Sequence, residues 1–178
     1  RLQSIESNLP TPRNFTVSVF PLAKNFNEGD GRDVSAFSDI DNSSFLSSSA
    51  GVTWAISGAF ASGAVGDVGI DYFASGNLSD GFGLRSLESK QSFVEGNEDL
   101  FVDISSVVSA TLAGTIPNHG FILSFTSSQE NDLVTRFVKR FASRHVTHES
   151  LRPRLEVHAN NSIFDSHANS FFDVSGSL

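Results

Sequence analysis

The sequence predicts an all-β fold, a single antiparallel β-sandwich of jelly-roll type from about residue 15 to residue 159, and three observations lead there. Apolar and polar residues alternate in runs of strand length, as in Phe15-Thr16-Val17-Ser18-Val19-Phe20 and Leu100-Phe101-Val102-Asp103-Ile104, which is the two-residue period of a half-buried strand. Gly, Pro and Ser interrupt the longer stretches, leaving little room for helices of ordinary length. The 17 Phe against one Trp and one Tyr supply a large core without burying indole or phenolic donors. At 178 residues and 39% hydrophobic content the chain is long enough to bury one such core.

Taken in order, residues 1–14 read as an N-terminal arm, polar and carrying Pro10 and Pro12. Phe15 to Phe20 is the first strand, closed by Pro21, which has no N–H for a ladder. Gly51 to Gly83 is Gly- and Ser-rich, with Val52-Thr53-Trp54-Ala55-Ile56 as its main alternating stretch. It reads as a long loop or hairpin excursion, and with the arm as a natural contact surface. Leu100 to Ile104 is a strand, Pro117-Asn118-His119-Gly120 is turn chemistry, and Phe121 to Thr126 is the strand that follows. Pro153 sits where a strand begins, and Leu155-Glu156-Val157-His158-Ala159 alternates as the last strand of the sandwich. The expected core is Phe15, Val17, Val19, Trp54, Ile56, Phe93, Leu100, Val102, Ile104, Leu112, Phe121, Leu123, Phe125, Phe137, Phe141, Leu155 and Val157. Residues 160–178 read as the start of a following element. With no Met in the chain, its start is expected to be processed, or the chain to be a fragment or the ordered part of something longer, and Phe171 to Leu178, which reads as a strand, a turn and the beginning of another strand, predicts covalent sequence beyond Leu178.

Four blocks stand in a fixed order: Gly96-x-Glu98-Asp99-Leu100-x-Val102-Asp103-Ile104, Asn118-His119-Gly120-Phe121, Phe141-Ala142-Ser143-Arg144-His145 and Arg152-Pro153-Arg154-Leu155-Glu156-Val157. Their order and spacing resemble the C-terminal half of DNRLRE-type domains, β-sandwich modules of secreted carbohydrate-active proteins and of tailed-phage virion proteins. Upstream, Glu28-Gly29-Asp30-Gly31-Arg32-Asp33, an acidic stretch, Trp54 and Gly58 resemble structural proteins of tailed phages. The likeness covers most of residues 15–165 and departs at Phe45, His145 and Glu149. It implies a binding or building part, with Trp54, Asp99, Asp103, Asn118, Gly120, Arg144, Arg152 and Pro153 as structural anchors. At least one of Arg144 and Arg152 is then expected to be buried against Asp99 or Asp103. Asp103 to Val108 resembles a family segment in which a strand runs into a helical turn.

The sequence argues against an enzyme. None of Lys24, Lys90 and Lys139 is followed by Ser or Thr, no Ser is flanked by Gly two before and two after, and His148-Glu149 lacks a second His three residues on. Glu98 and Asp99 are adjacent, so on a strand they point to opposite faces and cannot flank one glycosidic bond. Asp30, Asp33, Asp39 and Asp41 offer oxygen ligands in a Gly-containing stretch; this is either Asx turn chemistry or a Ca²⁺ site, the one cofactor the pattern allows. No Cys is present, which excludes disulfides and thiolate metal sites.

A net charge of −8 argues against direct nucleic-acid binding, and no segment approaches the length needed to span a membrane. Residues 136–154 nevertheless carry Arg136, Lys139, Arg140, Arg144, Arg152 and Arg154, against five acids in residues 88–103. Either the two segments neutralise each other across paired strands, or Arg136, Lys139 and Arg140 form an assembly surface facing an acidic neighbour or an anionic glycan. The expected role is a multi-copy structural component of a tailed-phage virion, contacting other virion subunits. The alternative is a carbohydrate-binding module of a secreted protein.

Overall fold

A computed structural model of the protein describes residues 1–5, 12–29, 42–77, 83–131, 133 and 138–158, and they form the all-β, sandwich-type fold that the alternation predicts. The strands are β1 (Phe15–Pro21), β2 (Ser47–Ser49), β3 (Val52–Thr53), β4 (Ser62–Ala64), β5 (Tyr72–Asn77), β6 (Leu84–Ser86), β7 (Ser89–Phe93) and β8 (Phe121–Phe125). Among the described residues helix is confined to α1 (Ser105–Leu112), α2 (Ser127–Glu130) and a 3-10 turn at Glu149–Leu151.

β1 is the middle of an antiparallel sheet ordered β7-β1-β8, with Val17 opposite Gln91 on one side and Phe125 on the other. β2 and β3 form a hairpin, and β4-β5-β6 is a second three-stranded sheet in which only β4 and β5 run parallel. A bridge between Leu22 and Tyr72, and the Phe20 ring 4.8 Å from that of Tyr72, join the two larger sheets.

Strand periodicity decides what each face buries. Phe15, Val17 and Val19 point into one cluster with Phe93 and Leu100, against which Leu2, Val102, Phe121, Phe125 and Phe141 pack. Phe15 stacks on Phe93 at 4.8 Å and meets Phe125 edge-on at 5.5 Å, both favourable ring geometries. On the opposite face Ser18 is also buried, its hydroxyl donating to Glu88 at 2.6 Å.

A second cluster is built from Phe73, Leu87, Val107, Ala110 and Ile116, and Phe121 packs against both. α1 enters it because Val107 and Ala110, three apart, share a helix face. The Asp103 carboxylate accepts the Ser105 N–H at 2.8 Å as the helix begins; of the strand-into-helix passage that the resemblance implies, the helical turn is present and the strand is not. Gly76 is required in β5: a Cβ there would lie 2.6 Å from the Val65 side chain.

Several expectations are corrected. Residues 51–83 are no excursion: their described part includes β3, β4, β5 and the buried Phe73 and Asp71. The first five residues are no free arm, since Leu2 pairs with Leu100 and Ser4 with Phe141. Leu100 to Ile104 keeps its alternation of burial but forms a bridge only at Leu100, because the side chains of β7 take the place of a strand neighbour. Gln91 donates to the Asp99 carbonyl and accepts the Phe101 N–H, and Ser89 donates to the Asp103 carbonyl. Residues 153–158 carry no strand, and Leu155 and Val157 are exposed. Ile56, Leu112 and Leu123 are exposed too, while Phe137 lies outside the described residues.

The revised core has a direct test. Leu87 is 1% exposed and Leu112 84% exposed. Leu87→Ala should lower unfolding free energy by about 2–5 kcal/mol, whereas Leu112→Ala should stay within about 0.5 kcal/mol. Urea denaturation of both variants makes the comparison.

Candidate functional site

Two buried polar hubs and one exposed apolar surface stand out, and one hub builds the surface. Asp71 has no solvent exposure. Its carboxylate accepts the N–H groups of Ala55 (2.7 Å), Ile56 (3.1 Å) and Ala61 (3.2 Å), and Lys24 Nζ at 3.2 Å. Lys24 also donates to the Thr53 carbonyl at 3.0 Å and lies 5.9 Å from the Trp54 ring centroid. Burial raises the Asp71 pKa, but the hydrogen bonds from Ala55, Ile56, Lys24 and Ala61 outweigh it and hold the carboxyl below its ordinary value.

Residues 54–61 are therefore folded around a buried anion. The Trp54 indole donates to the Ser44 carbonyl at 2.8 Å, and the Trp54 and Gly58 N–H groups bond the Leu46 and Phe45 carbonyls. Gly58 has φ +85°, and a Cβ there would collide with the rings of both Phe60 and Phe45. The two rings thus meet over a glycine. Phe45 is 65% and Phe60 47% exposed, and Leu46, Ile56 and Val52 are exposed beside them.

The second hub is Lys139. Its Nζ donates to Ser4 Oγ (2.6 Å), the Gly96 carbonyl (2.8 Å) and the Glu98 carbonyl (2.9 Å), 5.1 Å from the ring centroids of Phe93 and Phe141. Burial pulls its pKa down against the opposing charges of Glu98 and Asp99. The Glu98 carboxylate accepts the N–H groups of Val94, Glu95 and Gly96; burial opposes this, yet the backbone donors push its pKa down to about 2. Asp99 accepts the Ser4 N–H at 2.8 Å and Arg1 Nη2 at 3.0 Å. The Ser4 hydrogen bond leads in lowering its pKa, burial raises it, and Arg1 and Lys139 add to the lowering.

The anchors expected from the sequence divide sharply. Asp99 and Asp103 do structural work, Trp54 ties two segments together, and Gly120, at φ +89°, offers its carbonyl to the Leu22 N–H at 3.0 Å. Arg144 and Arg152 are not buried anchors. Arg144 is exposed and pairs with Glu28 at 2.8 Å, while Arg152 bonds the Val146 carbonyl and Glu149. Neither reaches Asp99 or Asp103, because Ser4, Arg1 and Ser105 already occupy those carboxylates. Asn118 and Pro153 are exposed. Lys139 is withdrawn from the expected assembly surface into its hub, Arg140 stays exposed, and Arg136 lies outside the described residues. Asp30, Asp33, Asp39 and Asp41 also lie outside them; among the described residues no cluster of three or more His, Asp or Glu could hold a metal ion. No described helix is long and apolar enough to cross a membrane. Sequence reasoning missed Asp71, whose signal was a lone acid directly before the apolar start of β5, Asp71-Tyr72-Phe73.

Breaking the Asp71 hub leaves Lys24 and three N–H groups without their acceptor, so Asp71→Ala should cost about 3–5 kcal/mol. Arg144→Ala, at an exposed pair, should cost no more than about 1 kcal/mol. Chemical denaturation ranks the two. The hubs also fix an acid response. Asp71, Glu98 and Asp99 all have folded pKa values below their unfolded ones, so the stability they supply is fully present above the unfolded values and is lost as pH falls through the folded ones. For Glu98 that window runs from 4.5 down to about 2. Glu98→Gln should melt lower than the parent at neutral pH and lose less melting temperature across that window, as read by calorimetry against pH. Comparison of the chain with protein-family models, with curated proteins and with solved structures finds no match.

Proposed function

We propose that this chain is a non-catalytic structural and assembly component of a tailed-phage virion, present in many copies and contacting other virion subunits. The observation that carries the reading is the exposed apolar side chains of Phe45, Leu46, Ile56 and Phe60, on the stretches that flank the β2–β3 hairpin, of which residues 55–61 are fixed on the buried Asp71. Contiguous exposed apolar surface on a well-fixed backbone is the usual mark of a protein contact. A partner gains roughly 1–2 kcal/mol for each half-exposed ring that it covers, without paying to order the loop. Strongly shifted ionisable groups often mark reaction chemistry; here Asp71, Glu98, Asp99 and Lys139 are each accounted for by a contact that holds the fold. The order of the four sequence blocks and of the upstream Glu28-Gly29 motif supports the phage assignment, and the net charge of −8 favours protein neighbours over nucleic acid.

The alternative, a carbohydrate-binding module of a secreted protein, draws on the same surface, since the exposed Phe45 and Phe60 rings offer aromatic faces to a sugar. One variant separates the readings. Phe45→Ser/Phe60→Ser should leave the melting temperature of the isolated chain within a few degrees and should prevent its incorporation into purified particles. A particle reconstruction in which both rings face solvent would sink the assembly reading. Polysaccharide binding on a glycan array that the same variant abolishes would move the chain to the carbohydrate-binding class.

A further inference from the structure

The segment Arg1–Ile5 lies between two stretches of chain, bonding to one with its even residues and to the other with its odd ones. Leu2 exchanges both main-chain hydrogen bonds with Leu100 at 2.8 and 2.9 Å, and Ser4 N–H meets Asp99 Oδ1 at 2.8 Å. On the other side the Arg1 nitrogen and carbonyl bond the Arg154 carbonyl and N–H (2.7 and 3.0 Å). Gln3 C=O accepts Ala142 N–H (2.9 Å), and Ile5 N–H meets Arg140 C=O (3.1 Å). Two charged side chains read the segment as well: Asp99 takes the Arg1 guanidinium, and Lys139 donates to the Ser4 hydroxyl.

We propose that the cleft between residues 99–100 and residues 140–142 with Arg154 is a strand-acceptor site, and that in assembled copies it receives residues 1–5 of a second copy. Three observations carry this. Every hydrogen bond just described runs to residue 99 or beyond, so the contact set is the same whichever copy supplies the donor. An emptied cleft would strand the main-chain groups of Leu100, Ala142 and Arg154, together with Asp99 and Lys139, so the donor leaves only where another replaces it. Residues 6–14 link the donor to β1; Pro12 is buried, Arg13 pairs with Glu95 and the Asn14 N–H bonds the Val94 carbonyl, which leaves residues 6–11, whose six residues span at most about 20 Å, enough to reach a neighbour in contact. Exchange of an identical element is a low-cost route to assembly, and strand addition takes its affinity from main-chain bonds and its specificity from flanking side chains. The inference does not depend on the virion reading.

The absence of Cys from the chain makes a disulfide test clean. The pairing of Ser4 with Phe141 puts Ile5 opposite Arg140, both exposed, at a cross-strand separation of about 5.5 Å that a disulfide can bridge. Full-length Ile5→Cys and Arg140→Cys chains are mixed, refolded together over a range of concentrations and oxidised. The expected product is a disulfide-linked heterodimer that outnumbers either homodimer severalfold and grows with concentration. It should fall severalfold when the Ile5→Cys chain also carries Ser4→Pro, which removes the donor's N–H and hydroxyl and leaves the acceptor copy intact. If the mixed chains give no excess of heterodimer while a doubly substituted Ile5→Cys/Arg140→Cys chain closes within one copy at every concentration, exchange is overturned. If the doubly substituted chain closes in neither way, the pairing itself is overturned.

Discussion

The buried carboxylate of Asp71 is the constraint on which the second half of the sandwich depends. It lies immediately before β5, and its own backbone bonds Ala61 and Ala23 while its side chain gathers Ala55, Ile56, Ala61 and Lys24. One residue therefore fixes the entry to β5, the path of residues 54–61 and the segment leaving β1. A carboxylate without solvent is tolerable only when its lone pairs are filled, so the loop is obliged to close around it. The Phe45 and Phe60 rings are exposed as a consequence of that closure.

The Lys139 hub solves the complementary problem in the first cluster. Residues 94–104 follow β7 without becoming a strand, yet their backbone groups are not left open. Glu98 takes the N–H groups of residues 94–96, Gln91 and Ser89 serve residues 99–103, and Lys139 takes two of the carbonyls. Side chains here do what ladders do elsewhere. The arrangement explains why a chain with short strands holds together, and why its cohesion is weighted toward carboxylates that acid can disarm.

Much of the first cluster was legible in the sequence because β1 carries its own periodicity and β8 is a short apolar run, and a face buried at Phe15 must be buried at Val17 and Val19; β7, Ser89–Phe93, has neither signal and was not expected as a strand. Legibility failed where burial depends on a partner that periodicity cannot name. Leu155 and Val157 alternate as well as Val17 and Val19 do, yet among the described residues no strand lies beside them, and they remain exposed. Residues 51–83 look like loop because Gly and Ser dominate them, but Gly76 is there so that β5 can approach Val65. The Arg144 and Arg152 assignments failed for an electrostatic reason. The carboxylates they were expected to meet were already satisfied, Asp99 by the N-terminal segment and Asp103 by the start of α1, which left the arginines to pair with exposed glutamates.

The two hubs also differ in how far along the chain their partners lie, which is what the proposed exchange rests on. Asp71 draws its donors from residues 24–61, close to it in sequence and continuous with the strands on either side, so its closure belongs to a single copy. Asp99 and Lys139 draw on Arg1 and Ser4, some 95 to 135 residues away. In the proposed assembly the apolar surface around Phe45 and Phe60 would supply a preformed contact, and the N-terminal segment a directional link. A repeating assembly needs both, because surface burial sets how tightly copies meet while strand register sets how each is placed on the next.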